Sequence, residues 1–91
     1  MDLEERNFGY FLAKSESRIA SHYFKQGDIF EAIHHSYISL VFYTFIGMRK
    51  RAVNEESFLR EMGLDTLLIE RMKKVGERHS FWCLYSLAEL I

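Results

Sequence analysis

Apolar residues recur at steps of three and four along the first quarter of the chain, which is the period of an α-helix. They predict a first helix from about Leu3 to Lys25. Its single apolar stripe consists of Phe8, Phe11, Leu12, Ser15, Ile19 and Tyr23. Asp2 stands where its side chain can cap the helix start, and Glu4 and Glu5 suit the positive end of the helix dipole.

A sharply specified turn follows the first helix. Gly27 occupies the position where helices commonly end in a left-handed conformation, which glycine adopts without steric cost. Asp28 can cap the next helix, and Glu31 three residues later completes a pattern that resembles a capping box. Because the connection is so short, we expect two antiparallel helices in direct contact.

The second helix is predicted to run from about Ile29 to Arg51 and to be covered on several sides. Residues 37–48 are apolar nearly all round the helix. This is typical of the central helix of a bundle, or of a helix that also forms a subunit interface. Small residues are expected to face the first helix and to let the two axes approach closely, namely Ala32, Ser36 and Ser39.

Two further helices complete the predicted set. Asn54 can cap a short third helix over residues 55–62, and Asp65 can cap a fourth over residues 66–90. The fourth helix is either continuous or interrupted at Gly76, since glycine is unfavourable inside a helix by about 1 kcal/mol. The inward positions of the two helices and of the turn between them are Phe58, Leu59, Met62, Leu64, Leu68, Met72, Val75, His79, Trp82, Tyr85 and Ala88.

These elements predict an all-α fold, in which the chain forms one domain over residues 1–91. A chain this short cannot divide into two useful cores. We expect an up-and-down four-helix bundle of three long helices and one short, with its central hairpin turning at Gly27-Asp28. With 48% apolar and 15% aromatic residues, the chain is rich in apolar groups for a monomer of this size. The spacing assigns most aromatic residues to the core, and self-association is the expected role of the remaining apolar surface.

The candidate metal ligands are few. A single cysteine, Cys83, excludes an internal disulfide and any metal site with several cysteines. Glu31 and His34 match half of a di-iron site, and the sequence contains no second half, so we expect no metal and no cofactor. A lone thiol and an acidic N-terminus without a secretory signal predict a cytoplasmic protein. The uncharged stretch 32–48 is shorter than the roughly 20 residues of a membrane span, so no membrane partner is expected.

The formal net charge of −1 argues against a strongly basic nucleic-acid binder, but the cations are bunched. Arg49, Lys50 and Arg51 are expected at the C-terminal end of the second helix, where they suit the negative end of the dipole. A second group follows on the fourth helix. The candidate positions for binding an anion or nucleic-acid phosphate are Arg49, Lys50, Arg51, Lys73, Lys74 and Arg78.

Residues 20–37 resemble one tetratricopeptide hairpin and also the hairpin of the HEPN superfamily of small helical bundles, which often dimerise. Uncharacterised archaeal helical proteins share the same order of small, aromatic and turn residues. The positions that carry the resemblance are Ala20, Tyr23, Gly27-Asp28, Ala32 and Ser39. Only one tetratricopeptide-like unit is present, and a single unit cannot bury its faces, so a repeat array is not expected.

The HEPN resemblance implies a specific chemistry. Active members are ribonucleases that use an arginine and a histidine, separated by four to six residues, near the start of the last helix. Here Arg71 and His79 lie in the corresponding region, with seven residues between them. Lys73 has the expected spacing to His79 but lacks the planar guanidinium that grips phosphate. The implied activity is metal-independent RNA cleavage, with the histidine as acid or base and the cation on the phosphate.

The sequence as a whole favours a non-catalytic helical interaction module that forms a homodimer and docks a protein partner through apolar surface. The ribonuclease is the alternative. A small DNA-binding regulator is a second alternative, because residues 57–72 have the rhythm of a helix-turn-helix with Ile69 as its buried anchor. Leu67 and Leu68 stand where a recognition helix should offer polar groups. The candidate interface positions are Tyr37, Phe42, Phe45, Phe81 and Trp82.

Overall fold

The computed structural model describes residues 2–78 and Tyr85, and within these residues it contains helices and no strand. The helices are α1 (Leu3–Lys25), α2 (Ile29–Phe45), α3 (Arg49–Glu61) and α4 (Thr66–Arg78). The expected all-α bundle is therefore confirmed. Five of the residues singled out in the sequence lie outside the described residues, namely His79, Phe81, Trp82, Cys83 and Ala88.

The hairpin between α1 and α2 forms as predicted. Gly27 has φ +81°, in the left-handed region, and the Asp28 N–H donates to the Tyr23 carbonyl oxygen at 3.0 Å. The Asp28 carboxylate accepts the Glu31 N–H at 3.3 Å, which caps the start of α2. The other half of the capping box does not form, because the Glu31 carboxylate lies 3.5 Å from Nε2 of His35 instead.

The predicted end of the second helix was wrong, because α2 stops at Phe45 rather than near residue 51. Gly47 has φ +79°, and the Met48 N–H donates to the Tyr43 carbonyl oxygen at 3.0 Å, which closes a Schellman-type helix end. The next helix starts at Arg49, so the predicted cap residue Asn54 lies inside α3. The basic run 49–51 therefore occupies the first turn of α3, at the positive end of its dipole.

The later caps and turns agree with the sequence. The Asp65 carboxylate accepts the Leu68 N–H at 2.8 Å at the start of α4. Gly63 has φ +99° between α3 and α4, and α4 continues through Gly76 without a break. Ile69 is buried as the helix-turn-helix pattern predicted, whereas Leu68, expected to point inward, is 43% exposed.

Helix α2 lies at the centre of the bundle and contacts the other three helices. Residues 38–43 are consecutive and all buried, which confirms that this helix is covered on several sides. The largest fully buried side chains, Phe42, Leu40, Leu59 and Ile69, come from three different helices. Within the described residues, no helix combines the length and the apolar character that a membrane crossing needs.

The α1–α2 contact is built from small residues. Helix α1 buries Gly9, Ala13 and Ala20, while the facing side of α2 buries its own short side chains. The Ser39 hydroxyl donates to the Ala13 carbonyl oxygen at 2.8 Å. A hydroxyl can reach the backbone of a neighbouring helix only where the axes are close, so the expected close approach is present.

Candidate functional site

Three large apolar residues of α1, Phe8, Phe11 and Ile19, lie on the side away from α2. We call this side the outer face of α1, and it consists of Phe8, Phe11, Ser15 and Ile19. Phe11 is 63% exposed, and Phe8 and Ile19 are each 38% exposed, whereas Ala13 and Ala20 are fully buried. The expectation that the aromatic residues lie mostly in the core is therefore wrong for Phe11, because α1 packs through its small residues.

Charged residues continue the same face at both ends of α1. Glu4, Arg18 and His22 share the three- and four-residue spacing of Phe8, Phe11 and Ser15, so all six lie along one side of the helix. Glu4, Arg18 and His22 are exposed and form no ion pair with any other described residue. The face is acidic at its N-terminal end, apolar in the middle and basic towards its C-terminal end.

Among residues 2–78 and Tyr85, the outer face has an aromatic neighbour on one of its edges. The Phe8 ring lies 5.5 Å from the ring of Tyr85, measured between centroids, in a tilted arrangement. Leu12, on the same edge, packs partly against the core. Phe11 has no such aromatic neighbour among the described residues, which leaves it as the most exposed aromatic ring of α1.

A second apolar surface covers one end of the bundle. Because consecutive helices are antiparallel, the turns at Gly27 and Gly63 lie at the same end, and the Phe24 and Phe58 rings meet there at 5.3 Å. Phe30 is 88% exposed in the first turn of α2. We call this region the turn-end surface, and its large exposed apolar residues are Phe24, Ile29, Phe30, Leu67 and Leu68.

The described interface positions proposed from the sequence lie in or against the core, and not on the outer face of α1 or on the turn-end surface. Phe42 is 1% exposed and belongs to the core, so it is unavailable to a partner. Tyr37 and Phe45 are half-buried and pack against that core. Burial raises the pKa of Tyr37 above its usual value. The spacing of apolar residues could not reveal the outer face of α1 or the turn-end surface. It identifies an apolar stripe on a helix but does not show whether that stripe faces the core or solvent.

A buried polar cluster joins α1, α2 and α3. The Glu55 side chain is 6% exposed, and its carboxylate accepts the Ser36 hydroxyl at 2.8 Å and the Ser17 hydroxyl in a very short contact. We call these three residues the Glu55 cluster. The Glu55 cluster was not predicted from the sequence. Glu55 lies one helical turn before Leu59, so it shares the inward face of that helix, and this spacing could have suggested a buried carboxylate.

A histidine beside this cluster is held between two glutamates. His35 Nδ1 lies 2.5 Å from the Glu16 carboxylate, and its ring stacks on Tyr23 with 5.5 Å between centroids. Ser17 and Ser36 donate to Glu55 and not to His35, so these described residues do not form a nucleophile–base pair. No group of three or more His, Cys, Asp or Glu residues in positions 2–78 is arranged to hold a metal ion, and Glu31 turns to His35 rather than to His34.

Arg51 of the basic run is occupied by aromatic contacts. Its guanidinium carbon lies 5.0 Å from the centroid of the Tyr10 ring, and the side chain hydrogen-bonds to Tyr43. Burial raises the pKa of Tyr43, and the Arg51 hydrogen bond and charge oppose that shift. Arg49 instead lines a cleft of about 350 Å³ between α2, α3 and α4, while Lys50 is exposed.

The cations of α4 divide into two sets. Lys73 lies 3.4 Å from the Glu56 carboxylate and 3.6 Å from that of Glu70, so its charge is neutralised within the bundle. Three other cations, which we call the basic stripe, line an open depression of about 240 Å³ and form no ion pair with a described residue. They are Arg71, Lys74 and Arg78. The structure thus separates Lys73 from Lys74 and Arg78, which the sequence had grouped together.

The chain was also compared with known proteins. No protein-family model, no curated protein and no solved structure matches it. The functional assignment therefore depends on the geometry of the described residues.

Proposed function

We propose that this chain is a non-catalytic helical interaction module that works as a homodimer through the outer face of α1. The observation that carries the proposal is the direction of α1 in the bundle. The helix buries its alanines and presents Phe11, its most exposed ring, to solvent. Apolar groups outside the core gain free energy when a partner covers them, at about 25 cal/mol per Å².

Chain length adds to this argument. A domain of this size buries only roughly 60% of the surface of its unfolded chain, and it has no disulfide to reinforce it. Dimerisation is a common way for small domains to gain buried area. The turn-end surface provides a second apolar region, with Phe30 at its most exposed point, where a different protein can dock while the α1 face is occupied.

The polar groups of the core support a structural role rather than catalysis. The Glu55 carboxylate is satisfied by Ser36 and Ser17, and His35 is satisfied by Glu16. General acid–base chemistry needs a side chain within hydrogen-bond reach of a substrate, and Glu55 is almost fully buried. These contacts fix the positions of α1, α2 and α3 relative to one another.

Sedimentation velocity over a concentration series tests the proposal. We expect the mass to rise reversibly from the 10.9 kDa of one chain towards twice that value across the micromolar range. The Phe11→Glu variant should remain monomeric over the same range, because association would bury an unpaired charge. A wild-type protein that stays monomeric at every concentration would falsify the homodimer.

The basic stripe supports a second candidate function, the binding of RNA phosphates with or without cleavage. Arg71, Lys74 and Arg78 share one face of α4, and no described carboxylate neutralises them. The helix-turn-helix alternative has less support, since Leu67 and Leu68 expose apolar side chains where base contacts would be needed.

Titration of labelled single-stranded RNA at several salt concentrations tests this second function. Neutralising the basic stripe with glutamine should flatten the slope of log K against log salt by about 2, since each phosphate contact contributes about 0.7. A charge-matched control neutralises three exposed cations elsewhere, Arg6, Lys25 and Arg60. RNA cleavage in the presence of EDTA that is lost in Arg71→Ala and in His79→Ala would establish the ribonuclease activity. If the two triple variants bind RNA equally well, the basic stripe is not the RNA-binding site.

A further inference from the structure

We infer that two copies of the chain pair through antiparallel α1 helices in one register, with Glu4 of one copy against His22 of the second copy. This inference rests on the proposed homodimer and specifies its geometry. The side of α1 opposite α2 carries residues 4, 8, 11, 15, 18 and 22, which follow each other at alternating steps of four and three. That spacing is the repeat of a coiled-coil seam.

The charges on this seam select the antiparallel orientation. Glu4 stands at one end, and Arg18 and His22 stand towards the other. A parallel pair would place Glu4 beside Glu4 and Arg18 beside Arg18, whereas an antiparallel pair places each acidic end beside a basic end. The helix dipoles agree, because antiparallel alignment brings the positive end of one helix to the negative end of the other.

One register satisfies the whole seam. When the two-fold axis crosses the seam at the level of residue 13, Glu4 meets His22 of the second copy, Phe8 meets Arg18, and Phe11 meets Ser15. Each aromatic ring then faces a cation or a small residue, which allows cation–π contact one layer in from each end and close packing in the middle. Shifting one helix by a full heptad would leave Glu4 or His22 beyond the end of the seam.

The remaining contacts of α1 are compatible with this pairing. Ala13 and Ala20 face α2, so the second copy approaches from the opposite side without displacing the hairpin. Phe8 keeps its contact with Tyr85 on one edge while 38% of its surface stays available. The apolar area on the seam is modest against the roughly 800 Å² per partner of a standard interface. We therefore expect a reversible dimer that forms with increasing concentration.

Disulfide trapping tests the register, in a Cys83→Ser background that removes the natural thiol. One preparation carries Glu4→Cys and the other carries His22→Cys. At a concentration where the parent is dimeric, mild oxidation of the mixture should yield mixed cross-linked dimers. The Glu4→Cys chain alone is the matched control. In the antiparallel pair its two thiols lie about 27 Å apart at a rise of 1.5 Å per residue, so it should remain uncross-linked.

The outcomes separate this inference from the homodimer itself. Cross-linking of the Glu4→Cys chain with itself means a parallel pair and overturns the inference. If the Cys83→Ser parent dimerises but neither the mixture nor either single variant cross-links, the interface lies on another face. That result also overturns the inference. A parent that is monomeric at all concentrations overturns the proposed function first. Circular dichroism of each variant confirms that the helical fold is retained.

Discussion

The hydroxyl of Ser39 donates a hydrogen bond to the carbonyl oxygen of Ala13 at 2.8 Å, across the contact between α1 and α2. This bond exists because both residues are small and both are fully buried. It fixes which side of α1 faces the core and, by consequence, which side faces solvent. The outer face of α1 and the homodimer proposal both follow from this relationship.

Enlarging Ala13 should therefore destabilise the bundle. We expect Ala13→Leu to lower the free energy of unfolding by about 1–3 kcal/mol, because extra methylene groups in a closely packed contact force backbone shifts. Ser21→Leu adds comparable volume at an exposed position of the same helix and should change stability by about 0.5 kcal/mol or less. Denaturant unfolding at low protein concentration measures both, and equal effects would contradict the small-residue packing.

The Glu55 cluster should be sensitive to loss of its carboxylate. Glu55→Ala leaves the hydroxyls of Ser17 and Ser36 without their acceptor, and the unsatisfied hydroxyl of the fully buried Ser36 costs about 1–3 kcal/mol. Glu61→Ala removes an exposed carboxylate from the same helix and is expected to be close to neutral. Urea denaturation compares the two, and a Glu55→Ala protein as stable as the Glu61→Ala protein would show that the cluster contributes nothing.

The turn at Gly47 should depend on its backbone conformation alone. An added Cβ atom would meet nothing within 4 Å, but φ is +79°. Gly47→Ala is therefore expected to lower the free energy of unfolding by about 1–2 kcal/mol, the cost of a left-handed conformation for an L-residue. Gly47→Asn should lose less, because asparagine visits that region more readily. If the two variants are equally stable as wild type, α2 does not end at this glycine.

Stability should fall at alkaline pH because of two tyrosines, the half-buried Tyr37 and the buried Tyr43. Burial raises the pKa of Tyr37 and of Tyr43 above 10.0 in the folded state. Neutral phenol is thus favoured in the fold, so the contribution to stability is complete below pH 10.0 and is lost as the pH rises through the raised values. Unfolding free energies measured across this range should fall less steeply for Tyr37→Phe than for wild type. Identical pH profiles would contradict the role of Tyr37.

Features set by short-range chemistry were predictable from the sequence. The cap residues Asp28 and Asp65 and the left-handed Gly27 act within one turn of the chain, and the structure has them where the sequence indicated. The end of α2 was missed, although Gly47 is a signal of the same kind. The apolar run over residues 37–48 continued past it and favoured one long helix.

The direction of α1 was not predictable from periodicity. Its small residues and its large apolar residues both recur with the helical period, on different sides of the helix. Which side packs on α2 depends on how closely the two backbones approach, and that depends on Ser36 and Ser39 of the other helix. The Glu55 cluster was missed for a similar reason, since its three residues come together only in the tertiary fold.

The most direct test of the central claim is hydroxyl-radical footprinting of Phe11 as a function of protein concentration. We expect the Phe11 ring to be oxidised readily in dilute protein, where it is 63% exposed, and to become protected as dimer forms. Phe42, buried in the core, should stay protected throughout and provides the internal reference. If the Phe11 ring is protected at every dilution, it lies in the core. If it is oxidised equally at all concentrations, it is not part of the interface. Either result would contradict the proposed dimer.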